Sequence, residues 1–258
     1  MITSSQNTRL KLIRALQGRA KERREAGAFL AEGVRLVEEA LAANWPFRFV
    51  LYSPDLSERG LELIRRLEAK GVETEQVSVA LLAEVAETET SQGILAVLVM
   101  PRPELPDLDT LNFVFIPDQV RDPGNLGTLI RSAAAAGAQA VFIPPETVDA
   151  FNPKVVRAGM GAHFRLGIYM LDWHAIRTYL VGIKVFLADA EAPASLWSLD
   201  FRQPLALIVG GEAEGASESA RKLADTLVNI PMPGKIESLN AAVAGAILMF
   251  EIVRQRKS

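Results

Sequence analysis

Between residues 111 and 231 six short runs are dominated by consecutive apolar residues: LNFVFIP (111–117), AVFIP (140–144), FRLGIYM (164–170), IKVFLA (183–188), PLALIVG (204–210) and TLVNIP (226–231). Apolar runs without alternation are what parallel strands need when both faces of their sheet are covered. Between and after them lie stretches of helical periodicity at 125–136, 152–159 and 172–181, and a long, almost uncharged helix predicted from Leu239. Strands and helices in alternation imply an α/β architecture, a mostly parallel sheet with helices on both faces.

A second alternation precedes this one. Leu10, Ile13, Leu16 and Ala20 recur at helical spacing over residues 7–24, Gly27 breaks the pattern, and FLAEG reads as a short strand turning at Gly33. Helix 34–43, strand 47–53, helix 58–70, strand 72–78, one more short helix and the apolar strand 91–101 follow. They predict a smaller N-terminal α/β domain over residues 1–100. PRPELPDLDT (101–110), rich in proline and acid and without periodicity, reads as the linker to a second domain at 111–258.

The chain of 258 residues is 49% hydrophobic, enough for sizeable cores. It has no cysteine, which excludes a disulfide framework and thiolate metal sites, and its two histidines argue against a histidine-rich one. The expectation is that no metal is required. No apolar signal segment opens the chain, and the run 239–250 falls short of the roughly 20 residues that span a bilayer. A cytoplasmic protein without membrane contact is expected. The net charge of −3 is unevenly spread. Residues 9–24 carry seven cations (Arg9, Lys11, Arg14, Arg19, Lys21, Arg23, Arg24) against Glu22 alone, leaving +6, whereas 55–109 carry twelve anions against five cations, leaving −7. A basic helix on an acidic protein is either a footprint for a polyanion such as RNA or a solvated face.

Three glycine-containing loops follow buried strands, where open parallel sheets hold ligands. In DQVRDPGNLGTLIRSAAAAGA (118–138), Asn125 is positioned to cap the helix that carries Arg131, an arginine with few polar neighbours. In VGGEAEGAS (209–217), Gly210, Gly211 and Gly215 let backbone approach a ligand closely. In IPMPGKIESLN (230–240), Ser238 is positioned to cap the last helix. None matches a dinucleotide fingerprint. Asp118 and Asp122 read as a cap and a surface charge rather than magnesium ligands, His163 and His174 as structural or exposed, and Trp45, Trp173 and Trp197 as core or interface. The small residues of AAVAGAILMF suit close helix packing, in the interior or in a homodimer interface.

The ordered set DxVxDPGNxGxxxRxA, GGExxGxS and IPMxGxxxSLN resembles motifs 1, 2 and 3 of the SpoU/TrmH family of SPOUT RNA 2′-O-ribose methyltransferases, over residues 111–254. NPKVVRAGMGAHFR (152–165) is similar to the family's intermotif region, and the N-terminal segment resembles the RNA-substrate-binding domain that often precedes it. Gln119, Gly159 and Ala242 stand where asparagine, serine and a second serine are frequent; Ala242 removes a hydroxyl from the last helix. The resemblance implies a C-terminal trefoil-knotted sheet, a homodimer, and S-adenosylmethionine bound by Ala188, Gly210, Gly211, Glu212, Ile230, Met232, Ser238, Leu239 and Asn240. It implies Arg131 and Asn125 as catalytic residues and RNA, foremost ribosomal RNA, as substrate, gripped by the N-terminal cations. The alternatives are a tRNA 2′-O-ribose methyltransferase and a non-catalytic RNA-binding or ribosome-assembly factor.

Overall fold

The basic stretch predicted as one helix over residues 7–24 is two: α1 (Thr8–Gln17) and α2 (Ala20–Ala26), broken at Gly18. Arg23 explains the break. Its side chain turns inward, 2% exposed, and Nη1 donates to the Leu16 carbonyl at 2.7 Å and the Gly18 carbonyl at 2.9 Å, satisfying acceptors that the end of α1 leaves free. Leu10, Ile13 and Leu16 bury the apolar stripe of α1 completely.

The structure is a computed structural model, describing residues 1–257 except 89, 90, 103, 108, 109, 212–214 and 235. The chain forms two compact units. The first, Met1–Arg102 with Phe151–Phe164, continues with β1 (Ala28–Glu32), α3 (Val34–Ala42), β2 (Phe47–Tyr52), α4 (Glu58–Ala69), β3 (Thr74–Gln76), α5 (Val79–Glu84) and β4 (Ile94–Val99). Its sheet runs β1-β4-β2-β3, with β4 antiparallel to both neighbours. The strand predicted from residue 91 starts only at Ile94, since Gly93 adopts φ +75°.

Residues 151–164, read from sequence within the second alternation, group with this first unit. The physical reason is aromatic. Phe29 of β1 packs against Phe151 with the rings tilted and 5.0 Å between centroids, Trp45 lies 5.3 Å from Phe164, and a helix at Pro153–Gly159 lies against β1. Gly161, at φ +91°, has no room for a side chain because Cβ of Glu39 would lie 2.9 Å from it.

The second unit, Pro103–Ala150 with Arg165–Ser258, holds β5 (Phe113–Asp118), α6 (Pro123–Ala135) and β6 (Ala140–Ile143). After α7, the Pro153–Gly159 helix, come β7 (Gly167–Met170), α8 (Trp173–Tyr179), β8 (Lys184–Ala188), β9 (Ala194–Ser195), β10 (Leu205–Gly210), α9 (Glu218–Leu223), β11 (Thr226–Asn229) and α10 (Ala241–Lys257). Every pairing in the sheet, order β7-β6-β5-β10-β8-β11-β9, is parallel. The expected α/β class with a large parallel sheet and a smaller second α/β unit is what the chain forms. The short elements β9 and α9 lie in stretches to which the sequence pattern assigned no element. Part of the linker is pinned to the second unit, with Tyr169 and Tyr179 donating to the carbonyls of Glu104 at 3.1 Å and Pro106 at 2.5 Å. Among the described residues no helix is long and apolar enough to cross a membrane.

The end of α10 is clamped to the strand starts. Arg256 donates from Nε to the Phe201 carbonyl at 3.0 Å and from Nη2 to the carbonyls of Asn112 and Gln203 at 3.0 and 2.9 Å. Arg256→Ala leaves those acceptors without their charged donor and is expected to lower stability by about 2 kcal/mol. Chemical denaturation checks this, and an unchanged midpoint would mean the clamp is dispensable.

Candidate active site

The parallel strands β5, β10, β8 and β11 all end at one edge of the second unit, so the loops after them converge. A cavity of about 270 Å³ opens there, near the ~300 Å³ lower end of small-molecule clefts. Ala188, Gly210, Gly211, Ile230, Met232, Ser238 and Leu239, all singled out from the sequence, line it. Glu212 lies outside the described residues.

The glycines of the second loop are required by contact. A Cβ on Gly210 would lie 2.8 Å from the Ala216 nitrogen, and one on Gly211 would lie 2.3 Å from the Gln119 carbonyl oxygen. Gln119 itself adopts φ +53°. The neighbouring carboxylate locks the same two loops together: Asp118, fully buried and opposite Gly210 in register, accepts the Ser217 N–H at 2.6 Å. Burial pushes the Asp118 carboxyl above the usual carboxylate range, although that N–H pulls the other way. Ser217 in turn caps α9, accepting from the Ala220 N–H at 3.1 Å.

Both helix caps inferred from the sequence shift by a few residues. Asp122, not Asn125, caps α6, accepting the Asn125 N–H at 2.7 Å. Asn240, not Ser238, caps α10, its Oδ1 accepting from the N–H groups of Ala242 and Val243 at 2.9 and 3.2 Å. The displaced Asn125 and the capping Asn240 meet: Asn240 Nδ2 donates to Asn125 Oδ1 at 3.1 Å. That link between first and third loops depends on α10 lying close to α6, where a Cβ on Gly245 would sit 2.4 Å from Leu129 Cδ2. Asn240 and Asn125 thus stand together, outside the residues lining the cavity. Arg131, two turns into α6, is exposed, and none of the described residues pairs with it.

Sequence reasoning missed Asp189 and Arg221. Both line the cavity, and Arg221 Nη1 donates to Asp189 Oδ2 at 2.7 Å. Burial raises the Asp189 carboxyl, but the Glu191 N–H and the Arg221 guanidinium outweigh it and hold the carboxyl below its ordinary range. Asp189 follows Ala188 at a strand end and was reachable by the strand-end rule; Arg221 sits on α9, a helix the periodicity did not reveal. Apolar walls, bare glycine backbone, one hydroxyl and one ion pair suit a nucleoside-sized ligand. Among the described residues no cluster of His, Cys, Asp and Glu could hold a metal ion.

The N-terminal cations divide. Arg9 pairs with Glu73 and, at 2.9 Å, with Glu75; Arg14 bonds the Ser5 carbonyl at 2.8 Å and approaches Glu84 at 3.4 Å; Lys21 lies 3.6 Å from Glu25. Arg23 is buried, its guanidinium spent on backbone carbonyls. Lys11, Arg19 and Arg24 are exposed, with no ion pair to the described residues. Trp197, expected in core or interface, is 62% exposed.

Residues 112–250 match the model of the SpoU rRNA Methylase family, and residues 7–96 match the MRM3-like substrate binding domain. The chain belongs to the SpoU rRNA methylase family. Among its relatives in that family, the 23S rRNA (uridine(2479)-2′-O)-methyltransferase of Streptomyces viridochromogenes is 36% identical over 99% of this chain and 92% of its own length. The 23S rRNA (guanosine(2553)-2′-O)-methyltransferase RlmP of Bacillus subtilis is 35% identical over 97% of this chain and 98% of its own. The crystal structure of the SpoU methyltransferase AviRb from Streptomyces viridochromogenes with the cofactor AdoMet superposes with a TM-score of 0.88 at 33% identity, covering 98% of this chain and 99% of that one. An AdoMet-bound rRNA methyltransferase from Sinorhizobium meliloti gives 0.85 at 29% identity, over 98% and 97%.

Proposed function

We propose that this SpoU-family chain is an S-adenosylmethionine-dependent methyltransferase acting on a ribose 2′-OH of ribosomal RNA. The observation that carries the reading is the cavity walled by Gly210, Gly211, Ile230, Met232, Ser238 and Leu239, in a chain alike over nearly its full length to a cofactor-bound relative. These residues would hold the cofactor, the glycines offering bare backbone where any side chain would collide. Bound there, S-adenosylmethionine supplies a methyl group already activated by its sulfonium charge. Positioning a poor nucleophile and easing the loss of its proton fall to the protein.

Arg131 and Asn125 are the residues assigned to that task. A guanidinium is always protonated at working pH, so Arg131 acts as a clamp on the phosphate beside the target ribose and on the developing alkoxide, with the proton passing to phosphate or water. Asn125, fixed by Asn240, ties the nucleophile's loop to the loop of the cofactor. Residues 1–100 would grip RNA and 111–258 carry the chemistry, with the trefoil knot of the family in the second part. The exposed Val243 and Phe250, two turns apart on α10, would pair in a homodimer. An enzyme of ribosomal RNA is expected in the cytoplasm.

A tRNA substrate draws support from one comparison: a structure concerned with 2′-OH methylation of C/U34 on tRNA matches 56% of this chain, with a TM-score of 0.52. Two relatives alike over nearly the full length are named for 23S rRNA, which favours the ribosomal reading. Methyl transfer from labelled cofactor to 23S rRNA and to tRNA, followed by mapping of the 2′-O-methyl, tests both. Transfer to neither, with cofactor binding absent, would leave a non-catalytic RNA binder.

The RNA grip has its own test. Replacing Lys11, Arg19 and Arg24 together by alanine is expected to weaken RNA binding, to flatten the slope of log K against log salt by roughly 2, and to leave the melting temperature unchanged. Arg23→Ala should instead lower the melting temperature, because it removes the donor to Leu16 and Gly18. Filter binding across a salt series, alongside thermal melts, separates the two roles. An unaltered salt slope in the triple variant would move the grip elsewhere.

A further inference from the structure

Two charged side chains, Asp189 and Arg221, stand in the cavity's lining, which is otherwise apolar and glycine apart from Ser238. They are unequal partners. The Asp189 side chain is 12% exposed and both its oxygens are engaged, Oδ2 by Arg221 at 2.7 Å and Oδ1 by the Glu191 N–H at 2.9 Å. Arg221 carries five N–H donors, is 48% exposed, and gives one donor to Asp189. No other described residue takes the rest. Its Nη2 lies 4.0 Å from the Cβ position of Gly215, so the guanidinium reaches from the end of β8 to the glycine loop after β10.

We infer that Arg221, oriented by Asp189, receives the α-carboxylate at the amino-acid end of the cofactor and so selects ligands that keep that end. The inference rests on the S-adenosylmethionine reading and adds a residue outside the three motifs. A carboxylate entering a wall of Val209, Val228, Ile230 and Leu239 without a partner would be strongly disfavoured, and Arg221 is the one cation in the described lining. Asp189 is mostly buried and each of its oxygens already accepts a hydrogen bond, so it holds the fork in place. The apolar remainder of the cavity is left for the adenine ring.

Calorimetry on the full chain, without RNA, tests this with two nucleosides. S-adenosylhomocysteine keeps the amino-acid end; 5′-methylthioadenosine has the same adenosine and thioether but lacks it. Arg221→Ala is expected to weaken S-adenosylhomocysteine by at least about tenfold, the scale of one charge-assisted hydrogen bond, and to leave methylthioadenosine within about twofold. Arg221→Lys should fall between. The methylthioadenosine arm reports whether the site still folds. Equal losses for both nucleosides would make Arg221 a strut of the wall and overturn the inference, as would no loss for either. Wild-type protein that binds neither nucleoside would remove the cofactor reading itself, and this inference with it.

Discussion

Replacing Arg131 by alanine is expected to lower the single-turnover methyl-transfer rate by about 10²- to 10³-fold, the usual scale for removing one preorganised electrostatic donor. The melting temperature and the affinity for S-adenosylhomocysteine should stay as they are. Arg131 is exposed, pairs with none of the described residues and does not line the cavity, so the fold makes no use of its charge. Arginine and alanine are both good helix formers, which leaves α6 intact. Arg131→Lys discriminates further. Lysine keeps the charge but loses the planar fork, so a bidentate clamp predicts a large loss, and full activity in the lysine variant would sink that role.

Gly211→Ala is expected to weaken S-adenosylhomocysteine by about 100-fold or more and to lower the melting temperature as well. The added methyl would lie 2.3 Å from a backbone oxygen, that of Gln119, and neither side can give way easily. Gln119 already sits at φ +53°, and Asp118 next to it is tied to Ser217. Misfits forced into packed sites commonly cost about 1–3 kcal/mol in stability alone. Gly234, in the third loop, is the control: none of the described residues comes within 4 Å of its Cβ position, and alanine there should change neither quantity. Calorimetry and melts on the pair decide, and similar behaviour of the two variants would show that loop contact does not shape the site.

The parallel sheet was legible because strands buried on both faces must be apolar at every position, a pattern that survives without knowledge of neighbours. Caps were harder. Asn125 and Ser238 carry the right chemistry, but a cap depends on which residue first turns its side chain toward free N–H groups, and Asp122 and Asn240 hold those places. Gly18 looked like one more helical residue since nothing local reveals that Arg23 folds back on the carbonyls there. The same holds for charge: counting cations over residues 9–24 treats Arg23 and Lys11 alike, and only burial separates them. At the site, the glycine loops and the Ser238–Asn240 stretch stood out as departures from element-forming sequence. Asp189 and Arg221 did not, being ordinary surface residue types brought together from 32 positions apart.

The helix at Pro153–Gly159 bears on how this protein can be divided. Since residues 151–164 belong to the first unit and both flanks to the second, the chain passes between the units three times, at 102/103, 150/151 and 164/165. A fragment ending at the proline-rich stretch would lack Phe151 and Phe164, leaving the faces of Phe29 and Trp45 that meet those two rings to water. The first unit is therefore no detachable module. Swapping it between relatives requires moving two separate pieces of sequence, and a graft of the first hundred residues alone would carry an open aromatic seam.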